Sequence, residues 1–395
     1  TCSMHPQIKQ DKPGKCPLTA GLRLILAHID SPRLDLKMKP LYENEHLAYL
    51  KTHYYGGIKK YQWTALPLAI YGTIVKTNGS SAEIAVGDKP DDPVFMISDL
   101  LAHLSEQQLE KKLKDAIAAE TLNVLVGNTT ADTASQEKEK EKDLVKKNIL
   151  QLLNKQYGIK EEDFISADLE LVPAGAARDL GFDGSLIAAY GHDDRSCAYD
   201  ALRAVIDAKT SEFASVVVLV DKEETGSEGA TGANSNFILD FISELIYLET
   251  GVHDENILRD VFFRSKAISA DVTAAYDPDY PDVFDANNTA RLGAGAVIEK
   301  HTGWGGKFGT SEATPEFTAK IMKTFNDADV VWQPGGFGKV DIGGGGTIAM
   351  FLARFNLDII DVGVSLLSMH APFEIASKSD VYSTYLAYKA FFESQ

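Results

Sequence analysis

The sequence predicts an α/β fold: a layered domain around a mixed, largely parallel sheet, interrupted by an inserted, mostly β domain. Three observations carry this reading. After Arg178, helical patterns such as "SCAYDALRAVIDAK" and "NSNFILDFISELIYLE" alternate with apolar strands "SVVVLV", "KAISADV" and "LDIIDVGV". Such alternation implies helices packed on a parallel sheet. Far upstream, "LRLILAHID" (22–30) reads as one more buried strand of the same kind. The stretch between them is rich in short strands. We therefore expect the α/β domain to be built from 22–39 and 177–395, with 40–176 inserted and 1–21 left as an atypical leader.

Taken in order, "ALPLAIYGTIVKT" and "SAEIAVGD" flank Asn78-Gly79, a strong hairpin signal. The composition of 105–119 predicts a helix. The charge run "SQEKEKEKDLVKKN" (135–148) reads as a solvated loop entering a helix. "DFISADLELVPA" predicts another strand.

Bulk properties narrow the function. The chain has 395 residues and a formal charge of −18. Two domains, or one with an insertion, suit that length. The acidity argues against nucleic acid or an anionic membrane as a partner. No apolar run approaches the ~20 residues that span a bilayer, and no secretory signal pattern opens the chain. The cysteines, Cys2, Cys16 and Cys197, make no disulfide framework, which points to a reducing cytoplasm.

Functional groups in open α/β sheets collect at the carboxyl ends of strands. Here those ends carry His28 and Asp30; His192, Asp193 and Asp194; Asp221, Glu223 and Glu224; Asp271; and His370. Singly, each has a structural role open to it: a core histidine for His28, a cap for Asp193 or Asp271. Their recurrence at five strand ends points instead to two divalent cations held by imidazole and carboxylate. Asp30 suits an outer carboxylate taking the second N–H of a ligating His28. Adjacent side chains of extended backbone point apart. If the chain is already leaving the strand there, one of Glu223 and Glu224 can face a cation, and the other a water as general base.

The stretches "AHIDSPRLDLK", "GHDDRSCAYDAL", "DKEETGSEGATG", "ISADVTAAYDPDY", "VDIGGGGTIAMFLA" and "VGVSLLSMHAPFE" together resemble the aspartyl aminopeptidase / aminopeptidase I family of dinuclear zinc exopeptidases, its bacterial branch above all. The resemblance runs from about Leu22 to the end of the chain. It implies a three-layer, zinc-exopeptidase-like catalytic domain with an inserted dimerisation domain. It assigns His28 and Asp271 to one zinc, Glu224 and His370 to the other, and Asp193 as the bridge. Asp30 becomes the outer aspartate and Glu223 the general base. Asp194 stands where the family often has Asn.

The resemblance also implies a metalloaminopeptidase that hydrolyses the N-terminal peptide bond of peptides with a free amino terminus, with two metal ions activating the water. The metals would be zinc, with cobalt or manganese suited to the same ligands. The family's name points to acidic N-terminal residues. Partners would be further copies of the chain, in a tetrahedral dodecamer built from dimers, with His103 reaching a neighbouring active site. The glycine run containing Gly345 and Gly346 could shape the substrate pocket with bare backbone; it lacks the Lys-Ser/Thr of a phosphate loop. A related deacylase or carboxypeptidase, or an inactive self-assembling homologue, are the competing readings. Intact Glu223 argues against the last.

Residues 1–21 depart from the family. Cys2, Met4, His5 and Cys16 resemble short heavy-metal-binding segments, but Leu18, Thr19 and Ala20 stand where the closing cysteine belongs. A misassigned or fused leader fits better than a working site. The family's longer stretch ahead of the first histidine is missing, which questions the completeness of the catalytic domain.

Overall fold

The run Leu22–His28 forms a strand buried along its whole length. It lies in a six-stranded sheet ordered Ala214–Val220, Leu22–His28, Lys266–Ser269, Asp358–Gly363, Ala296–Glu299, Trp332–Pro334. The first four are mutually parallel; Ala296–Glu299 reverses against Asp358–Gly363, and Trp332–Pro334 runs parallel to it. The structure, a computed structural model, describes residues 17–131, 142–209 and 211–394.

Strand alternation explains the layering. Ile25 and Ala27 enter one core with helices His192–Asp207, Pro315–Asp327 and Lys378–Glu393. Leu22, Leu24 and Leu26 enter another with helices Phe237–Thr250 and Glu255–Arg264. Helices thus cover both faces, giving the three layers that the family resemblance implies. Phe262 is 2% exposed in the second core and packs at 5.2 Å, centroid to centroid, on Phe355. Phe262→Ala should cost about 3–5 kcal/mol of stability, measured by denaturant unfolding.

A second, smaller sheet belongs to the same unit: Thr273–Ala274, Ser365–Leu367, Glu374–Ser377, Leu186–Ala189 and Arg178–Leu180. Its pairing of Glu374 with Ala189 places two distant parts of the chain beside the start of helix His192–Asp207. That helix also buries Asp200, 1% exposed, whose Oδ2 has no hydrogen-bond partner. Burial raises this carboxyl from 3.8 to about 8. The folded state therefore holds a proton that the unfolded chain has released. The contribution to stability is complete below pH about 4 and is lost as pH rises to about 8. Asp200→Asn should remove that slope, about 1.4 kcal/mol per pH unit at its steepest, seen as a smaller fall in Tm from pH 5 to 8.

The chain divides into two compact units. One comprises the chain up to Ser31, Arg178–Met369 and the residues from Glu374 onward; the other is Pro32–Ala177 with His370–Phe373. The second unit is a six-stranded, wholly antiparallel sheet, in the order Ser81–Val86, Leu68–Val75, Ala167–Pro173, Arg33–Asn44, Leu47–Tyr55, Asn123–Gly127. Its interior holds Leu34, Trp63, Leu68, Ile74 and Leu171. The unit starts at Pro32 rather than 40, because 33–44 forms a single strand shared with Leu47–Tyr55.

Several local expectations meet the structure here. The Asn78-Gly79 turn joins antiparallel strands, with Gly79 at φ 83° donating to Lys76 O. No single helix spans 105–119. The segment breaks into Glu106–Leu109 and Leu113–Ala116, with Lys112 non-helical (φ −58°, ψ 142°) between them. Neither piece has a buried residue to hold it, so helical composition alone does not sustain a long helix. Strand formation in "DFISADLELVPA" is confined to Ala167–Pro173, the preceding residues forming the 3-10 turn Glu161–Ser166. The charge run leads into helix Leu144–Tyr157, whose first amides, Val145 and Lys146, donate to the Glu43 carboxylate. Its residues up to 141 lie outside the described residues, as do Cys2, Met4, His5 and Cys16 of the leader. Leu18, by contrast, is buried in the second core. Among the described residues, no helix is long and apolar enough to cross a membrane.

Candidate metal centre

The parallel strands of the central sheet all end on the same edge, and that edge carries His28, Glu223, Glu224 and Asp271. The His28 ring is 1% exposed. Its Nδ1 lies 3.0 Å from Asp30 O and 3.2 Å from Asp30 Oδ1. Its Nε2 points the other way, 3.1 Å from Asp193 Oδ1 and 3.8 Å from Asp271 Oδ1. A carboxylate behind the ring therefore aims the opposite nitrogen at two further carboxylates.

Asp30 does a second job. Its Oδ1 accepts from Glu223 N and its Oδ2 from Glu224 N, both at 3.2 Å. The strand Ala214–Val220 has ended by then: Lys222 is left-handed (φ 68°) and Glu223–Thr225 forms a 3-10 turn. The two glutamates thus leave a tight turn after the chain has left the strand. Ligand atoms of His28, Glu223 and Glu224 lie within 4.8 Å of one another, as do those of His28, Asp194 and Asp271.

Helix His192–Asp207 supplies Asp193 and Asp194 from its non-helical first turn, and the peptide between them is cis. Asp194 is fully buried and accepts from His28 N at 3.3 Å. The main chain of Asp193 is held on both sides: Asp193 N donates to Glu374 Oε2 (3.0 Å), and Ser31 Oγ donates to Asp193 O (2.6 Å).

The electrostatics are those of crowded acids. Burial, then the charge of Asp271, raises Glu223 to about 8. Burial, then Asp271, holds Asp194 well above the carboxylate range. Burial raises Asp271 too, against the His28 imidazole. For His28, burial works downward, but its bonds to Asp193, Asp271 and Asp30 outweigh it and hold the ring well above its ordinary value. The His28 imidazole acts on all three raised carboxyls, lowering each. A set of one imidazole and several buried carboxylates, with charge uncompensated, fits hard or borderline divalent cations.

His370 falls in the segment His370–Phe373 of the second unit, at φ 64°, with Nδ1 2.9 Å from Gly57 O. His103 is in the exposed 3-10 turn Ala102–Leu104 of that unit. Gly345 and Gly346 pack on another loop. Gly303 N donates to Gly345 O at 2.5 Å, and a side chain at Gly346 would strike Gly309 O. That packing by itself requires small residues in the run.

Sequence reasoning missed Ser31, Glu374, Glu299 and Asp361. The last two face each other across antiparallel strands. Glu299 Oε1 accepts from Thr273 Oγ1 and Asp361 Oδ1 from Thr347 Oγ1, both at 2.7 Å. Burial raises them to about 8 and about 7. They tie down the chain beyond Asp271 and beyond the glycine run. An acid inside an apolar strand, as in "AVIE" and "DIIDVG", was the available signal.

Comparison with known proteins gives the family. The family model described as aminopeptidase I zinc metalloprotease (M18) matches residues 12–392, and one described as heavy metal binding domain matches residues 1–18. A probable M18 family aminopeptidase 1 of Clostridium acetobutylicum is 50% identical over 378 residues, 96% of this chain and 80% of its own. Its counterpart in Thermotoga maritima is 47% identical over 376 residues, covering 95% and 81%. The crystal structure of an M18 family aminopeptidase from Thermotoga maritima superposes with a TM-score of 0.92 at 47% identity, over 96% of this chain and 82% of that one. Aminopeptidase I from Clostridium acetobutylicum gives 0.89 at 47%, covering 96% and 81%. On the extent of the family match and the level of these identities, the chain belongs to the M18 family of aminopeptidase I zinc metalloproteases.

Proposed function

We propose that this chain, a metal-dependent aminopeptidase, cleaves the N-terminal peptide bond with Glu223 as general base beside two divalent ions. The observation that supports it most is His28, with Nδ1 turned to Asp30 and Nε2 turned to Asp193 and Asp271. His28 and Asp271 would hold one ion, Glu224 and His370 the other, and Asp193 both. Zinc is the family's metal, and cobalt or manganese suits the same donors. When bound, such a pair polarises a carbonyl oxygen and brings the pKa of a water near neutrality.

The chain's own residues supply the rest. Asp30 fixes the His28 ring through Nδ1 and, through two amides, the turn that presents Glu223 and Glu224. Glu223, with its carboxyl raised to about 8, takes the proton of the attacking water and passes it to the leaving amine. With ions held beside it, that value would move down toward working pH. The glycine run with Gly345 and Gly346 gives the substrate a wall of bare backbone. We assign the inserted unit to dimerisation, His103 to a neighbouring copy's active site, and the assembly to a homo-oligomer, in the family's form a dodecamer, in the cytoplasm.

Chromogenic amides of Asp, Glu, Leu and Lys, each with a free and an acetylated amino group, test this reading in the presence of Zn²⁺, Co²⁺ or Mn²⁺. Turnover of free-amine substrates only is expected, and the panel ranks acidic against neutral and basic termini. Turnover of acetylated substrates, or release of C-terminal residues, would establish the deacylase or carboxypeptidase reading instead.

A further inference from the structure

We propose that Glu374 and Ser31 are positioning residues that clamp the main chain of Asp193 and so set the affinity of the site for its metals. The inference rests on the reading of Asp193 as a ligand. Asp193 N donates to Glu374 Oε2 at 3.0 Å, and Asp193 O accepts from Ser31 Oγ at 2.6 Å. Ser31 and Glu374 are each 2% exposed and Asp193 is 4% exposed, so water does not compete for these bonds. The two contacts bracket one residue. They fix the position of its Cα, and thereby of a carboxylate whose Oδ1 is 3.1 Å from His28 Nε2.

The fold delivers both groups by design of its pairing. Glu374 opens strand Glu374–Ser377 and is in register with Ala189, the last residue of the strand that leads into Gly191 and Asp193. Ser31 directly follows Asp30, which already holds the His28 ring and the amides of Glu223 and Glu224. Ser31 thereby couples Asp193 to the segment that positions the other groups. The first turn of helix His192–Asp207 needs such support, because Asp193 and Asp194 have non-helical backbone angles. Burying a carboxylate is costly unless it is hydrogen-bonded, and the bond to Asp193 N supplies such a partner. Outer groups that orient ligands typically change metal affinity or activity by 10–100-fold.

The test compares the full chain with Glu374→Ala, Glu374→Gln and Ser31→Ala, each stripped of metal. Zn²⁺ and Mn²⁺ titrations by calorimetry give affinity. Hydrogen exchange of the segment around Asp193 reads the clamp without metal, with strand Leu22–His28 as the folding control. Glutamine keeps an acceptor oxygen for Asp193 N–H, so Glu374→Gln should stay within roughly threefold of wild type in affinity and protection. Glu374→Ala should lose roughly 10–100-fold in affinity, and Ser31→Ala roughly 10-fold. Both should speed exchange at Asp193 while leaving the control strand protected. Wild-type affinity and protection in Glu374→Ala would overturn the proposal, as would a glutamine variant as impaired as the alanine. If the unmutated chain binds neither ion, the ligand reading of Asp193 fails and takes the affinity claim with it, whereas faster exchange without loss of metal binding would refute the affinity claim alone.

Discussion

Replacing Glu223 by glutamine should lower kcat by about 10²–10⁴-fold and leave the metal content at its wild-type value. Glutamine matches glutamate in shape and keeps an acceptor oxygen, but it cannot take a proton. The turn that carries residue 223 is held through backbone, by Asp30 on the amides of Glu223 and Glu224, so the substitution leaves that support in place. In the wild-type enzyme, burial and then Asp271 raise the Glu223 carboxyl. Activity should therefore fall as pH drops through the pKa of this group and the base becomes protonated. The glutamine variant should lack that acid limb. If instead metal is lost with the activity, Glu223 is a ligand and Glu224 the base.

Stripping the protein with a chelator should abolish turnover and lower Tm, and adding back Zn²⁺, Co²⁺ or Mn²⁺ should restore both. The carboxyls of Glu223, Asp271 and Asp194 are all raised, with burial as the leading cause. Without ions the folded state holds extra protons there. A buried acid raised in this way contributes stability that is complete below about pH 4 and is lost as pH climbs toward the raised values, about 8 for Glu223. His28, raised as well, works in the same direction, since its protonated form is favoured by the fold. Divalent ions keep the carboxylates ionised and remove the repulsion. The gain in Tm on adding metal should thus be larger at pH 8 than at pH 5. At a free ion concentration 100 times Kd, mass action alone stabilises by about 2.7 kcal/mol. An equal gain at both pH values would show that the ions bind elsewhere.

How much of this was readable in the chain follows from where each residue sits. His28, Glu223 and Asp271 stand just beyond apolar runs, and parallel strands bring such ends to one edge of a sheet. Their gathering could therefore be argued without coordinates. Asp30 was readable for the same reason, being two residues from His28, though its grip on the Glu223 and Glu224 amides was not. Ser31 and Glu374 look ordinary in sequence. Their role depends on the register of Glu374–Ser377 against Leu186–Ala189, a pairing that no local pattern specifies. The helix expected over 105–119 failed because composition ignores whether a core is there to receive it, and neither short helix in that stretch has a buried residue. The glycine run suggested a pocket wall of bare backbone; its packing on Gly303 and Gly309 depends on tertiary structure and was not readable in the chain.

The central claim is that His28 Nε2, Asp193 and Asp271 converge on a cation. Anomalous diffraction from crystals grown with Zn²⁺ or Mn²⁺ tests it most directly. The account requires an anomalous peak at bonding distance, about 2.0–2.2 Å, from His28 Nε2 and from carboxylate oxygens of Asp193 and Asp271. Peaks only at other positions, or His28 rotated so that Nε2 faces Asp30, would contradict it.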